Sequence, residues 1–298
     1  MAFLTTTDSD LKPILSIVVP TCNSASTISR LFDSLDKQLL LCFEVIFVDY
    51  HSFDETLSII YSHPSNYQKI VLSIDEPGIY NAINFGISHA CAEWILILGS
   101  DDSLYCAHTV SSIVQYLMVL DYRTSLIYGT VFLMQDRKRL NQFFSPNDHF
   151  TTSLCQQSIV YRKQAIIDTG WFDTQYKSTA DYVLNLKIIE HFSFSSLEFV
   201  DLIIANYNQS GFSSRYTDKM YLKSSMFIRL KSLGLLVKTS LLIRSFFSRN
   251  SVLAKILGFQ LTSAYKLSCL YLEIIVKRIF LTKPTPNLTN LQSKPLIK

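Results

Sequence analysis

Apolar and polar positions alternate between two periods through the first hundred residues. Ile14–Pro20, Phe43–Val48, Lys69–Ile74 and Trp94–Leu98 are short, nearly continuous apolar runs, the pattern of strands buried on both faces. Pro20 closes the first run, because a prolyl nitrogen has no hydrogen to donate to a ladder. Between the runs the spacing becomes helical. Thr21-Cys22-Asn23-Ser24 is a capping loop before Ile28, Leu31, Phe32 and Leu35, which share one helical face. Asp54 and Glu55 open a second helix through Leu57, Ile59 and Ile60, and Gly78–Ala90 contains a third. This β-α-β-α-β order predicts a mostly parallel, Rossmann-like α/β sheet flanked by helices, with right-handed crossovers.

The signals then change. Leu126–Met134 and Ser158–Tyr161 read as strands, and Phe199–Tyr207 as an edge strand. Ala165–Thr169 reads as a short helix ended by Gly170, and Thr179–His191 as a longer one carrying Val183, Leu184, Leu186, Ile188 and Ile189. No internal repeat or low-complexity segment interrupts the body.

From about Lys219 to Phe280 the pattern is again helical. Lys255, Thr262, Lys266, Glu273 and Lys277 share one face, while Leu253, Ile256, Leu257, Leu261, Leu267, Leu270, Ile274 and Ile275 occupy the others. Lys238, Arg244, Lys255, Lys266 and Glu273 break the apolar run before it reaches the roughly 18 residues of a spanning helix. Two uses fit this appendage: a basic amphipathic segment lying on a membrane, or a helical layer packed on the body. The division expected is 1–218 for the body, 219–282 for the amphipathic helical region and 283–298 for a flexible tail.

Charge sharpens the division. The net charge of +3 over 298 residues hides an acidic body and a basic end: 14 Lys and Arg against the single acid Glu273 follow from Lys219 onward, leaving 13 basic and 23 acidic residues before it. Such asymmetry points to an anionic surface as partner, and the apolar content of the basic end favours a membrane over nucleic acid. At 48% apolar and 17% charged the chain is not disordered. The six cysteines (22, 42, 91, 106, 155 and 269) form no C-x-x-C pair, so neither a zinc site nor a disulfide framework follows. The N-terminus lacks the basic, then apolar, order of a secretion signal. A cytoplasmic protein, peripheral on the inner face of the cell membrane, is the expectation.

The chemistry concentrates where Ile95-Leu-Ile-Leu-Gly-Ser-Asp-Asp102 ends. Two adjacent carboxylates follow a buried strand, at the sheet rim where open α/β sheets hold ligands. Carboxylates there are costly unless cations or hydrogen-bond donors meet them. Either Asp101 and Asp102 cap the next helix, or they hold a hard cation that carries a phosphorylated ligand.

Four segments bear on that choice: Ser16-Ile-Val-Val-Pro-Thr-Cys-Asn23, Glu44-Val-Ile-Phe-Val-Asp-Tyr-His-Ser-Phe-Asp-Glu-Thr56, Gly78-Ile-Tyr-Asn-Ala-Ile-Asn-Phe-Gly86 and Leu98-Gly-Ser-Asp-Asp102. Together they resemble family 2 glycosyltransferases of the GT-A fold, inverting and nucleotide-sugar dependent, and within them the bacterial enzymes of polysaccharide assembly. The resemblance covers roughly residues 14–212. It implies nucleotide contacts from Pro20, Thr21, Asn23, Asp49, Gly78 and Asp101, and Mg²⁺ or Mn²⁺ on Asp102. The chain departs from the family pattern at Tyr50 and His51, which replace small residues, at Asn81, which replaces an acid, and at Phe85, which replaces a lysine.

On the acceptor side, Cys155-Gln-Gln-Ser-Ile-Val-Tyr-Arg162, Gly170-Trp-Phe-Asp173 and Thr179-Ala-Asp-Tyr-Val-Leu184 are similar to the segments that follow in the family, with Gln156 in a histidine's place. The resemblance makes Asp181 the catalytic general base, with Asp173 as the alternative. Inversion needs one such carboxylate opposite the leaving group. Gln157, Trp171 and Asn81 are acceptor-side or loop candidates. So are Ser214 and Arg215 in the closing Asn206-Tyr-Asn-Gln-Ser-Gly-Phe-Ser-Ser-Arg215 segment. The implied partners are a nucleoside-diphosphate sugar, UDP-linked, and a glycan or lipid-linked oligosaccharide. Two rival readings keep a similar sheet. A non-catalytic partner subunit of an assembly complex is suggested by the departures at Asn81, Phe85 and Gln156. A nucleotidyltransferase would need a Gly-rich basic loop, where the chain has Thr-Cys-Asn-Ser-Ala-Ser.

Overall fold

The computed structural model describes residues 12–140, 142 and 154–211. The basic region 219–282, the tail 283–298, Ser214 and Arg215 lie outside the described residues.

The first half is the expected α/β repeat. Strands β1 (Leu15–Thr21), β2 (Phe43–Asp49), β3 (Gln68–Ser73) and β4 (Trp94–Ile97) alternate with helices α1 (Ile28–Asp36), α2 (Thr56–Ser62) and α3 (Ile79–His89). All pairings among these strands are parallel, in the order β3-β2-β1-β4. β1 runs one residue past Pro20, with Thr21 opposite Asp49, so the proline sits inside the strand end and does not close it.

The second half brings antiparallel pairing. A two-residue β5 (Ser103–Leu104) and helix α4 (Thr109–Leu117) lead to β6 (Leu126–Leu133) and β7 (Lys138–Leu140). Then follow β8 (Ile159–Arg162), α5 (Lys163–Asp168), α6 (Ala180–Phe192) and β9 (Leu197–Tyr207). β8 lies antiparallel between β4 and β6, and β9 runs parallel to β6. The full order is β3-β2-β1-β4-β8-β6-β9-β5, with β7 on β6. β9 is therefore not a bare edge, since β5 pairs with its last residues at Ala205 and Asn206.

Strand side chains alternate between faces, and each face has its own core. Leu15, Ile17, Val19 and Phe47 meet α1 and α4 through Leu31, Phe32, Leu35, Val110 and Ile113. Val18, Ile46, Val48, Ile95 and Ile97 meet α3, α5 and α6 through Ile83, Ile87, Ile166, Val183 and Ile188. At Gly86 an added Cβ would lie 2.6 Å from Val18 Cγ1 and 2.9 Å from Val48 Cγ2, so α3 rests its backbone directly on the sheet.

This topology gathers distant segments at one rim. The parallel strands end there. β8 runs the other way, so the turn before it arrives there. β9, parallel to β6, leaves there, and α6 starts there because it must descend to the start of β9.

Candidate active site

The rim is built from the strand ends. After β1 and β2 the two loops are knitted together. Thr21 Oγ1 donates to Asp49 Oδ1 at 3.0 Å, and Ser52 gives Asp49 its N–H at 2.9 Å and its hydroxyl at 2.6 Å. Asp49, 1% exposed, thus organises the turn around itself. Asn23 joins the loops from the other side: its N–H donates to Ser52 Oγ and its Oδ1 accepts from the Phe53 N–H. The Ser24 N–H donates to Thr56 Oγ1, and Asp54 accepts from Ala25 and Thr56. The Ser and Thr residues beyond Asp49 therefore serve as a scaffold that holds Pro20, Thr21, Asn23 and Asp49 in one corner.

Next to that corner the chain leaves β4 into Gly99-Ser100-Asp101-Asp102. Asp102 is 1% exposed. Its Oδ2 accepts from the Gly99 N–H at 3.1 Å and its Oδ1 from the Asn208 N–H at 2.9 Å. Asn208 also donates its side-chain amide to Asp101 Oδ2 at 2.9 Å. A Cβ at Gly99 would come within 2.7 Å of Asp101 and 2.8 Å of Asp102, so only glycine lets the two carboxylates fold back over the strand end. Burial first, and the Asp101 charge second, push the Asp102 carboxyl up to about 7.

Asp101 and Asp102 line a cavity of about 340 Å³ together with Asp181, Gln156 and Gln157. Asp181 enters from the first turn of α6. Its carboxyl is pushed up to about 6 by burial, opposed by the Tyr182 N–H and by the Tyr80 hydroxyl, which donates to Oδ1 at 3.2 Å. The turn before β8 brings Cys155, whose thiol burial holds well above its ordinary range, and Gln156, whose buried Nε2 has no hydrogen-bond partner. Gln142 pins that turn by accepting from the Cys155 N–H and donating to Ser158 Oγ.

The other sequence candidates sit elsewhere. Gly78 adopts φ +115° ahead of α3, a left-handed conformation that suits glycine. Asn81 is half-buried and donates to Pro77 O, and Asp173 accepts from the Gln175 N–H in a local turn. Trp171 is half-buried with φ +64°, packed on the α3 and α6 face outside the cavity lining. Sequence reasoning missed Asn208 and Tyr80. Tyr80 lies inside the quoted Gly78–Gly86 segment, but no spacing rule links it to a residue 101 positions away. A larger cavity, about 710 Å³, opens at the opposite rim between the ends of α4 and α6, and none of the residues singled out above lines it.

Asp101 and Asp102 fit a hard divalent cation. They offer only oxygens, they are adjacent, and their mutual repulsion already raises Asp102. Among the described residues no group of three or more His, Cys, Asp or Glu is placed to hold an ion. A cation on this pair would complete its shell from phosphate and water, the usual habit of Mg²⁺.

The hydrogen-bonded corner after β1 and β2, the carboxylate pair after β4 and the half-buried Asp181 thus come together at one rim. The sequence profile described as "Glycosyl transferase family 2" matches residues 16–160. The PGL/p-HBAD biosynthesis glycosyltransferase of Mycobacterium bovis (strain BCG / Pasteur 1173P2) is 30% identical over 215 residues, 71% of this chain and 83% of that protein. S. aureus TarS 1-349 in complex with UDP-GlcNAc superposes with a TM-score of 0.61 at 18% identity, over 89% of this chain and 81% of that one. Mannosyltransferase PcManGT from Pyrobaculum calidifontis, in complex with GDP-Man and Mn²⁺, does so with a TM-score of 0.51 at 15% identity, over 95% and 92%. The chain belongs to glycosyl transferase family 2 and is a glycosyltransferase of the GT-A fold. Among the described residues no helix is long and apolar enough to cross a membrane.

Proposed function

We propose that this glycosyltransferase inverts: it moves a sugar from a UDP-linked donor to a hydroxyl of a glycan or lipid-linked oligosaccharide in surface polysaccharide or glycolipid synthesis. Asp181 takes the acceptor proton. The acceptor oxygen forms its bond to the anomeric carbon as the bond from that carbon to the phosphate oxygen breaks. The nucleoside diphosphate leaves with the electron pair. Thr21, Asn23 and Asp49 hold the nucleoside end, and Asp101 and Asp102 face the diphosphate. Bound on Asp102, Mg²⁺ or Mn²⁺ would neutralise the charge that builds on the leaving group.

The observation that carries this reading is the raised, cavity-facing Asp181 on a wall different from that of Asp101 and Asp102. A base tuned to about 6 is ionised at neutral pH and still basic enough to share a proton in the transition state. UDP-GlcNAc in the S. aureus structure supports the donor class, and the PGL/p-HBAD biosynthesis role named for the mycobacterial relative supports a biosynthetic acceptor. The basic sequence after Lys219 suits an acceptor held at an anionic lipid surface.

The test is Asp181→Asn in the full chain. Transfer should fall ~10²–10⁴-fold, the share a positioned base contributes, while UDP affinity measured by calorimetry with Mn²⁺ stays within a factor of roughly three. Wild-type kcat should rise with pH through about 6. Near-wild-type transfer by the variant would end the case for Asp181 as base.

A further inference from the structure

Tyr80 and Asn84 lie one helical turn apart on α3, and both reach the chain that carries Asp181. Tyr80 is 4% exposed, and its hydroxyl donates to Asp181 Oδ1. Its ring lies nearly parallel to that of Phe172, centroids 5.7 Å apart and planes 11° apart. Phe172 is held in turn by Asn84. The Asn84 amide donates to Phe172 O at 2.8 Å, and its carbonyl accepts from the Phe172 N–H at 3.2 Å. Phe172 also meets Tyr161 edge-on at 6.0 Å, and Tyr161 donates to Asn185 Oδ1 at 2.9 Å, one turn beyond Asp181 on α6. The contacts close on themselves: Asp181 and Asn185 on α6 are tied through two tyrosines to one phenylalanine, and Asn84 locks that phenylalanine in place.

The start of α3 makes this reach available. Gly78, at φ +115°, turns the chain so that Tyr80 falls in the first helical turn. Asn81, which replaces the family acid, is half-buried and engaged with Pro77 O. Of the polar residues that open this helix, it is Tyr80 that touches the base.

Building on the assignment of Asp181 as base, we propose that Tyr80 and Asn84 are positioning residues that fix which Asp181 oxygen meets the acceptor. Tyr80 occupies Oδ1 and, with the Tyr182 N–H that also bonds the carboxylate, sets which lone pair of Asp181 is presented to the acceptor. Asn84 holds the Phe172 shelf on which the Tyr80 ring rests. The titratable groups facing Asp181 are Tyr80 from α3, Tyr161 from β8 and Cys155 from the turn before β8. All three are held neutral, above their ordinary ranges, by burial first and with a contribution from the Asp181 charge. Asp101, Asp102 and Lys177 line the same cavity.

The experiment uses the full-length protein. The ¹³C carboxyl resonance of Asp181, assigned by its absence from Asp181→Asn, is titrated in wild type, Tyr80→Phe and Asn84→Ala. kcat–pH profiles are recorded in parallel for UDP release from the UDP-sugar that wild type turns over fastest in a donor panel. Tyr80→Phe removes one hydrogen bond to a charged group. Its midpoint should move upward by about one pH unit, with the acidic limb of kcat following and the donor KM within roughly twofold. Asn84→Ala should lower kcat with a smaller shift in midpoint. Thermal melts confirm that each variant folds. An unmoved midpoint in Tyr80→Phe overturns the proposal. A midpoint that moves while Asp181→Asn turns over like wild type overturns the base assignment, and the catalytic role of the brace with it.

Discussion

The corner proposed to hold the nucleotide and the wall proposed to face the acceptor are built on different scales of chain. In the corner, Thr21 bonds Asp49, Asn23 bonds Ser52 and Ser24 bonds Thr56, contacts that span 28 to 32 residues. Each is the product of one β-α-β unit, whose parallel strands deliver successive loops to the same rim. At the acceptor wall, Tyr80 meets Asp181 across 101 residues and Asn208 meets Asp102 across 106. These contacts exist because β8 turns back beside β4 and β9 crosses to run parallel with β6. One half of the site is a property of local motifs, the other a property of topology.

Asp102 follows β4 of the parallel half and takes one donor from Gly99 beside it and another from Asn208 beyond β9, so its removal tests the division most strongly. Burial and the Asp101 charge raise its carboxyl from 3.8 to about 7. Ionised Asp102 therefore destabilises the nucleotide-free fold, increasingly from about pH 4 to about 7 and fully above that. Asp102→Asn should melt higher than wild type at pH 8 without ligand, and the gain should vanish toward pH 4. The gain is partial, because an amide offers one acceptor to the Gly99 and Asn208 N–H groups where the carboxylate offers two. The same variant should lose the metal-dependent stabilisation by UDP, ~2.7 kcal/mol at a hundred times the dissociation constant. Scanning fluorimetry with UDP, with and without Mn²⁺, reads both effects. A ligand shift that survives would detach Asp102 from metal and diphosphate.

A second variant acts on the packing of α3 against the parallel half of the sheet. Gly86→Ala places a methyl 2.6 Å from Val18 and 2.9 Å from Val48, both β-branched and fully buried. Overpacking of this kind costs ~1–3 kcal/mol. Urea unfolding should show a lower midpoint with an unchanged slope. A midpoint equal to wild type would mean that α3 can lift from the sheet, and Tyr80 with it.

The same contrast explains what could be read from sequence. The strands, α1 and the order of the nucleotide half follow from apolar periodicity alone, and Ile28, Leu31, Phe32 and Leu35 are all buried as the helical spacing requires. Asp101, Asp102, Asp181 and Gln157 were legible because each sits in a motif at a strand or helix end, and the fold brings all four into one cavity. β5 escaped notice because two residues leave no periodic trace. α4 does carry one, at Val110, Ile113 and Val114. Tyr80 and Asn208 could not be assigned by pattern: each acts through a partner about a hundred residues away, and only the strand order makes them neighbours.

The smallest expected effect is the most telling for the division. Asn208→Ala removes the amide that meets Asp101 Oδ2, together with the Oδ1 that accepts from Gln135 Nε2 and the Ser210 hydroxyl. It leaves the backbone N–H on Asp102 Oδ1. The side chain is half-buried and its bond is partly screened by solvent, so one charged hydrogen bond contributes about 1 kcal/mol here, below the roughly 1.5–3 kcal/mol of buried examples. UDP affinity with Mn²⁺ should weaken by about fivefold, measured by calorimetry on the full chain. Thermal stability should change little, since the loop keeps its backbone bonds to Asp102 and Gln135. If affinity is unchanged, the β4 end orients both acids unaided and the acceptor wall only closes over them. A fivefold loss would mean that β9, the last strand of the described sheet, helps to set the geometry of a site whose acids lie at the end of β4.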